Sequence, residues 1–230
     1  MKLLSAAALL LAFPLSLAAQ IVGRPPEASP FRDLQYRQDV TLFGGYYAAG
    51  VDPAGVAPQS APFIGARYAL QITGPVAFMA RTALVFSERT LVDPRQNDGA
   101  RILGVESWPI MLVDANLAMN LTGQKSWRNL VPTATVGIGL VSDFKSEPDT
   151  GSFTFGTGFA FNVGAGVRWV ATDRIEVRLD WTDYLYKIEY PSLFYTRTSD
   201  GTQFLPNTQA ESLWKHNSAF ALGIAYRFWR

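Results

Sequence analysis

The chain has 230 residues, with 20 Lys and Arg against 19 Asp and Glu, a formal net charge of +1 and 48% hydrophobic residues. Charges of both signs are scattered along the chain, so nothing in the balance favours nucleic acid or an acidic partner. Because the sequence has no cysteine, it offers no disulfide, no thiolate chemistry and no cysteine-ligated metal.

The N-terminus has the pattern of a secretory signal peptide over residues 1–19. One positive charge precedes an apolar run, and the small residues Ala18 and Ala19 follow it. We expect cleavage after Ala18 or Ala19 and an exported mature protein. The Pro-rich residues 20–36 predict an irregular periplasmic lead-in, and residues 37–230 predict a single barrel domain.

Eight later segments alternate apolar residues with small or polar ones, and this period of two is typical of strands. They span, in chain order, 39–47, 63–73, 76–86, 110–121, 131–141, 158–171, 174–181 and 218–230. The apolar set of every segment lacks Asp, Glu, Lys and Arg. A charge facing lipid at the midplane costs roughly 2 to 4 kcal/mol, whereas a water-facing strand has no such restriction. The pattern therefore predicts strands whose outer face meets lipid.

The connections between these segments alternate in length. Short turns are expected at 74–75, 122–129 and 172–173, and long loops at 48–62, 87–109, 142–157 and 183–217. Short periplasmic turns and long extracellular loops are typical of outer-membrane barrels. We therefore predict an all-β fold, an eight-stranded antiparallel transmembrane up-and-down β-barrel in the cell outer membrane.

The last segment ends on an apolar face with aromatic residues at Tyr226 and Phe228. With the stretches 162–169 (N-V-G-A-G-V-R-W), 178–180 (R-L-D) and 223–228 (G-I-A-Y-R-F), the chain resembles the small outer-membrane β-barrel family that includes the OmpA transmembrane domain and OmpW-like proteins. This resemblance implies contact with outer-membrane lipid and lipopolysaccharide. It also implies delivery by periplasmic chaperones and a C-terminal signal, Gly223, Tyr226 and Phe228, that the barrel-assembly machinery reads.

The opposite face of the strands carries the polar residues. The predicted interior network is Asp39, Arg67, Arg81, Asp114, Asn116, Asn162, Arg168, Glu176, Arg178, Asp180 and Arg227. The lumen of an eight-stranded barrel is just wide enough for side chains to fill it, so we expect a paired plug rather than a channel. A small-solute conduit of the OmpW kind is an alternative.

Aromatic residues near the strand ends predict two interfacial girdles. The outer set is Tyr46, Tyr47, Phe86, Trp108 and Tyr184, and the inner set is Trp127, Trp169, Tyr226, Phe228 and Trp229. The fourth loop is the longest and the richest in aromatic residues, and loops commonly carry binding sites. Its residues Tyr184, Tyr186, Tyr190 and Tyr195 are therefore candidates for binding an extracellular ligand of unknown identity. Alternatively, the first of them prolong the last hairpin beyond the membrane.

One constellation suggests an enzyme. His216 and Ser218 face lipid by the parity of Phe220, and Glu211 precedes them. The pair resembles the His-x-Ser pair of lipid A 3-O-deacylases, which implies Ser218 as nucleophile, His216 as base and Glu211 as the group that orients the base. The structural interpretation is that both are interfacial polar residues. We predict a non-enzymatic structural or surface-interaction protein without a cofactor or a metal. A soluble secreted barrel such as a lipocalin is disfavoured, because its outer face would carry many charges.

Overall fold

The computed structural model describes residues 29–145 and 147–228. The predicted signal peptide, most of the lead-in and Trp229 lie outside the described residues. The described strands are β1 (Phe31–Asp33), β2 (Gln38–Ala48), β3 (Ala61–Thr73), β4 (Val76–Val85), β5 (Glu88–Val92), β6 (Ile102–Ser107), β7 (Ile110–Asn120), β8 (Lys125–Trp127), β9 (Leu130–Ser142), β10 (Thr157–Val170), β11 (Ile175–Glu189) and β12 (Ser212–Phe228). A single 3-10 turn, Ser192–Tyr195, accompanies these strands in the described chain.

Eight of these strands close into a barrel. The order of neighbours is β2-β3-β4-β7-β9-β10-β11-β12, and every neighbouring pair is antiparallel. Pairing of β12 with β2 places Arg227 opposite Asp39 and leaves neither strand with a free edge. The predicted fold class, an all-β eight-stranded antiparallel up-and-down barrel, is confirmed.

The last hairpin is longer than predicted. β11 has 15 residues and β12 has 17, whereas about 9 to 11 tilted residues cross a bilayer. Their pairing continues without a break from Ile175–Tyr226 to Glu189–Ser212. The segment predicted as a loop from 183 to 217 is therefore strand at both of its ends, over 183–189 and 212–217. The remaining connection, loop 4, covers only residues 190–211.

Two accessory pairings also differ from the expected irregular connections. β5 and β6 form a two-stranded sheet inside the connection between β4 and β7. At the opposite end, β1 pairs with β8, so the end of the lead-in forms a short strand instead of irregular chain. Both pairings use backbone groups that would otherwise need water as a partner.

The connections alternate as predicted. Residues 74–75, 121–129 and 171–174 join strands at one end of the barrel, and residues 49–60 (loop 1), 86–109 (loop 2), 143–156 (loop 3) and loop 4 join them at the other. We call these the short-turn end and the long-loop end. Within residues 29–145 and 147–228, no helix has the length and apolar character to cross a membrane.

The two faces of the barrel wall differ in chemistry. The outward set includes Leu42, Ile64, Val136, Leu179 and Leu222, which are between 57% and 68% exposed. In the described barrel strands, the outward charged residues are Asp183, Lys187 and Glu189, all at the far end of β11. The exposed apolar band therefore ends near Trp181, and the hairpin continues beyond it.

Candidate functional site

The half of the lumen at the short-turn end contains buried ion pairs. Arg67 Nη1 lies 2.9 Å from Asp180 Oδ2, and Arg81 Nε lies 3.0 Å from Asp114 Oδ2. Arg178 Nη2 lies 2.6 Å from Asp39 Oδ2. Each of these residues occupies an inward-facing position, so the alternation of the strands directs all six side chains into the lumen.

Glu176 is the centre of this network. It is fully buried, and its carboxylate contacts three arginines, with Arg168 at 2.8 Å, Arg178 at 3.1 Å and Arg227 at 3.2 Å. Arg168 binds it in a bidentate manner, because Nε and Nη2 donate to separate carboxylate oxygens. Three strands, β10, β11 and β12, are therefore joined through one side chain.

The amide residues of the predicted network are placed less uniformly. Asn116 donates to Asp114, and Asn120 accepts from Arg168 at 3.0 Å. Asn162 is 2% exposed, and neither its Oδ1 nor its Nδ2 has a hydrogen-bond partner among the described residues. Several buried arginine nitrogens also lack a hydrogen-bond partner among the described residues. Such buried polar groups are ordinarily satisfied by internal water.

The half of the lumen nearer the long loops is apolar. The sequence predicted a polar interior and did not predict this apolar half. Phe43 and Phe63 pack edge to face with ring centroids 6.0 Å apart, and Val85, Ile110 and Leu112 are buried with them. In β4 and β7 the inward residues thus change from Arg81 and Asp114 to Val85 and Ile110 towards the long-loop end.

Three residues predicted for the outer girdle lie inside instead. Tyr47 is fully buried, and its hydroxyl lies 2.6 Å from that of Tyr186. Tyr184 donates to Asp114 at 2.9 Å, and Trp108 Nε1 donates to Asp143 at 2.8 Å. Strand parity directs Tyr47 and Tyr184 inward, and Trp108 is buried in loop 2 just before β7, so assigning them to the girdle by aromatic character alone was wrong. Tyr46 and Phe86 remain outward and exposed.

Loops 1 to 4 pack together over the long-loop end, and we call this assembly the cap. Phe194 of loop 4 is fully buried against Phe153 of loop 3, Phe204 and Tyr190. Burial, followed by a hydrogen bond to Asp52 of loop 1, raises the pKa of Tyr190. The cap therefore has its own apolar core, continuous with the upper lumen.

Buried and exposed polar contacts fasten the cap. Arg89 is fully buried, stacks 4.3 Å from the Trp108 ring centroid and 4.9 Å from that of Phe153, and pairs with Asp149. At the surface, hydrogen bonds donated by Thr198, then Thr202, lower the pKa of Asp200.

The four tyrosines proposed as a loop binding site do not form an open platform. Tyr184, Tyr186 and Tyr190 are at most 5% exposed. Tyr195 is half-buried, and its hydroxyl donates to the carbonyl of Ala210 at 3.0 Å. Their rings support the cap from within, because the hairpin extension turns alternate side chains towards the barrel axis. The rings of Tyr184, Tyr186 and Tyr190 therefore offer no exposed surface on which an extracellular ligand could stack.

Solved structures similar to this chain include the N-terminal β-barrel domain of Pseudomonas aeruginosa OprF, at 11% identity and a TM-score of 0.47, covering 84% of this chain and 98% of that one. The outer membrane protein OprG of the same organism matches at 10% identity and a TM-score of 0.49, with 85% and 98% covered. Neisserial surface protein A matches at 12% identity and a TM-score of 0.48, covering 83% of this chain and 97% of that one. These are small outer-membrane β-barrels, the class that the sequence resembles. No protein-family model and no curated protein matches the chain.

The outer wall carries one polar cluster near the long-loop end. His216 Nδ1 lies 2.6 Å from Asp183 Oδ2, and Ser218 is directly opposite Asp183 in the β11–β12 register. The side chain of His216 is 73% exposed, and that of Asp183 is 14% exposed. All three residues face outward at the upper limit of the apolar band.

Glu211, the residue predicted to orient His216, does not contact it. Glu211 precedes β12 and lies five positions before His216, which corresponds to about 16 Å along an extended chain. The carboxylate that contacts His216 is that of Asp183. The sequence held a signal for this, because Asp183 has the outward parity of Trp181, but the pairing of positions 183 and 216 requires the register.

The C-terminal signal residues end β12. Tyr226 faces outward, is 49% exposed and accepts a hydrogen bond from Arg174 at 3.0 Å. Gly223 faces inward, where a Cβ atom would approach the side chains of Phe43 and Thr41 to 2.9 Å. A side chain at 223 would therefore displace β2.

No group of three or more His, Asp or Glu residues in the described chain could hold a metal ion.

Proposed function

We propose that the protein is an integral outer-membrane β-barrel with a filled lumen that acts at the cell surface rather than as an open pore. The observation that carries this proposal is the outward apolar band, which surrounds all eight strands and contains no charged residue below Asp183. A band of this kind exceeds the exposed apolar patches of soluble monomers and is matched by hydrocarbon.

The ends of the barrel support an orientation with the cap outside the cell. Short turns lie on the periplasmic side of such barrels and long loops outside. Exposed aromatic residues mark both limits of the band, with Trp169 and Tyr226 near the short turns and Tyr46 and Phe86 near the long loops. Outer-membrane lipid and lipopolysaccharide would then surround the wall. Periplasmic chaperones and the barrel-assembly machinery would handle β12 before insertion.

The contents of the lumen support a closed barrel. Ion pairs centred on Glu176 cross one half, apolar side chains fill the other, and the cap packs above them. We therefore favour a structural or surface-interaction role over a small-solute conduit, which would need a continuous polar path.

The test is the electrophoretic mobility of the full-length protein from isolated outer membranes, without and with boiling, followed by planar-bilayer recording. We expect a compact band that shifts on boiling, since the closed barrel resists detergent until heated, and no stepwise conductance. Recovery in the soluble periplasm without a shift contradicts the membrane assignment. Steady conductance through the purified protein contradicts the filled lumen alone.

A second candidate function is hydrolysis of a lipid ester, and the Asp183–His216 contact beside Ser218 favours it. In this mechanism Ser218 Oγ attacks the ester carbonyl while His216 Nε2 takes its proton. His216 then returns the proton to the leaving alcohol, and water hydrolyses the acyl-serine. Asp183 holds Nδ1 and stabilises the imidazolium, as a third group does in hydrolase triads. The substrate class would be an acylated glycolipid such as lipid A.

Mass spectrometry of lipid A from cells expressing wild-type protein tests this candidate. If the protein is such an enzyme, expression removes one acyl chain, and Ser218→Ala abolishes the change. Ser212→Ala, at an outward position in the same strand, should leave it intact. Unaltered lipid A in wild-type cells, or an equal change with Ser218→Ala, removes the enzymatic candidate and leaves the barrel assignment untouched.

A further inference from the structure

A recess of about 220 Å³ opens in loop 1 at the long-loop end. Its wall includes Ala49, Gly50, Ala57, Ser60 and, from β12, Lys215. The volume is about seven times the share of one water molecule in the liquid, so the recess has room for a compact organic molecule. None of these residues belongs to the ion-pair network or to the outward serine and histidine.

Lys215 is the unusual member of this wall. The residue is only 4% exposed, yet no acceptor among the described residues lies within hydrogen-bonding or ion-pairing distance of its Nζ. By contrast, Lys187 on the same hairpin pairs with Glu189 at 2.6 Å. The Nζ of Lys215 keeps some exposed surface, unlike the buried arginine nitrogens of the lumen, so the ammonium group is open to the recess and can take an anionic partner there.

Asp52 is the carboxylate that shares the recess, but its oxygens serve loop 1. Oδ1 accepts from the Ala54 amide at 3.1 Å and also from the Tyr190 hydroxyl, and Oδ2 accepts from the Ala57 amide at 2.6 Å. The carboxylate therefore holds the loop against the cap and makes no ion pair with Lys215. The ammonium group is left facing the recess.

A second donor lies in the same wall. Ser60 Oγ accepts the Ala49 amide at 2.9 Å, and in the described chain its own proton has no acceptor. Gly50 lets loop 1 approach β12 closely, since a Cβ atom there would lie only 2.3 Å from the His216 carbonyl oxygen. The remaining wall is small and apolar, from Ala49, Ala57 and Pro58.

We propose that this recess binds a carboxylate, with Lys215 Nζ and Ser60 Oγ donating to its two oxygens. One cation and one hydroxyl match a monoanion, whereas a phosphate dianion usually recruits arginine or several cations. The carboxylate belongs either to a free small acid or to an acidic sugar of a surface glycan, since both are accessible from the long-loop end. This site goes beyond the proposed membrane role and uses residues that role leaves unexplained.

The experiment is isothermal titration calorimetry of the full-length protein, folded in detergent micelles, with sodium acetate, sodium glucuronate and glucose. We expect saturable binding of the two anions and none of glucose, which lacks the carboxylate. Equal affinity for acetate and glucuronate indicates a free small acid, and clearly tighter glucuronate indicates an acidic sugar. Lys215→Met should weaken binding by about tenfold or more, because it removes a charge-assisted hydrogen bond.

Lys187→Met is the matched control and should bind like wild type. Each variant is first checked for the boiling-dependent band shift, so a misfolded barrel is distinguished from a missing site. Lys215→Met should fold at least as stably as wild type, because methionine keeps the volume and removes an unpaired charge. Absence of anion binding to wild-type protein at millimolar concentration, or unchanged affinity in Lys215→Met, overturns the proposal.

Discussion

Replacing Glu176 by glutamine is expected to lower the free energy of unfolding by about 3 to 5 kcal/mol, the range for removing one partner of a buried ion pair. Glu176 is fully buried and contacts Arg168, Arg178 and Arg227. The amide keeps the volume but loses the charge, so Arg168 and Arg227 lose the carboxylate that neutralises them. Urea titration of protein folded in bilayers, followed by the unboiled gel band, measures the change.

Glu189→Gln is the control for this substitution. Glu189 also forms a close ion pair, with Lys187 at 2.6 Å, but its side chain is 71% exposed. An exposed pair contributes about 0 to 1 kcal/mol, so this variant should be close to wild type. If Glu176→Gln were equally mild, water would be screening the arginines, and an aqueous path through the lumen would replace the filled one.

The barrel itself was predictable from the sequence because inward and outward residues alternate strictly in each strand. The predicted segments 63–73 and 131–141 lie within β3 (Ala61–Thr73) and β9 (Leu130–Ser142). A one-residue slip would place charged residues in the apolar band, so the face to which each side chain points is strongly determined by the hydrophobic pattern. The inward position of every residue in the predicted ionic network follows from the same alternation.

The cap was not predictable in this way. Its contacts join residues far apart in the chain, as in the bond from Tyr190 to Asp52 and the stacking of Phe153 on Phe194. Loops have no period that reports burial, and an aromatic residue in a loop is equally compatible with a binding surface and a core. Applying strand parity to Tyr47 within its predicted segment 39–47, and continuing it to Tyr184 beyond the predicted segment 174–181, would have placed both side chains inside.

The candidate sites lie at the same limit of sequence reasoning. His216 and Ser218 share an outward face by parity, which the sequence showed, but their neighbour Asp183 is known only from the β11–β12 register. Lys215 has the opposite parity and is inward, and the recess beside it depends on the path of loop 1. Side-chain direction was thus predictable, whereas the partner across strands and loops was not.

Replacing Leu222 by arginine is expected to lower the free energy of unfolding in bilayers by about 2 to 4 kcal/mol, the cost of a cation at the lipid midplane. Leu222 is outward, 60% exposed and near the middle of the apolar band, with Phe220 and Ile224 on either side. In water, an exposed leucine-to-arginine change is usually within about 0.5 kcal/mol of neutral. The measurement therefore reports the solvent at this face.

Leu103→Arg provides the matched control, because Leu103 is 52% exposed but lies on β6, in loop 2 beyond the band. We expect Leu103→Arg to be near neutral while Leu222→Arg is strongly destabilising, since only the second arginine must leave water. Equal and small effects at both positions would mean that the apolar wall faces water or a protein partner that tolerates charge. In that case the absence of charged residues from the outward face of the strands, on which the membrane assignment depends, would require another cause.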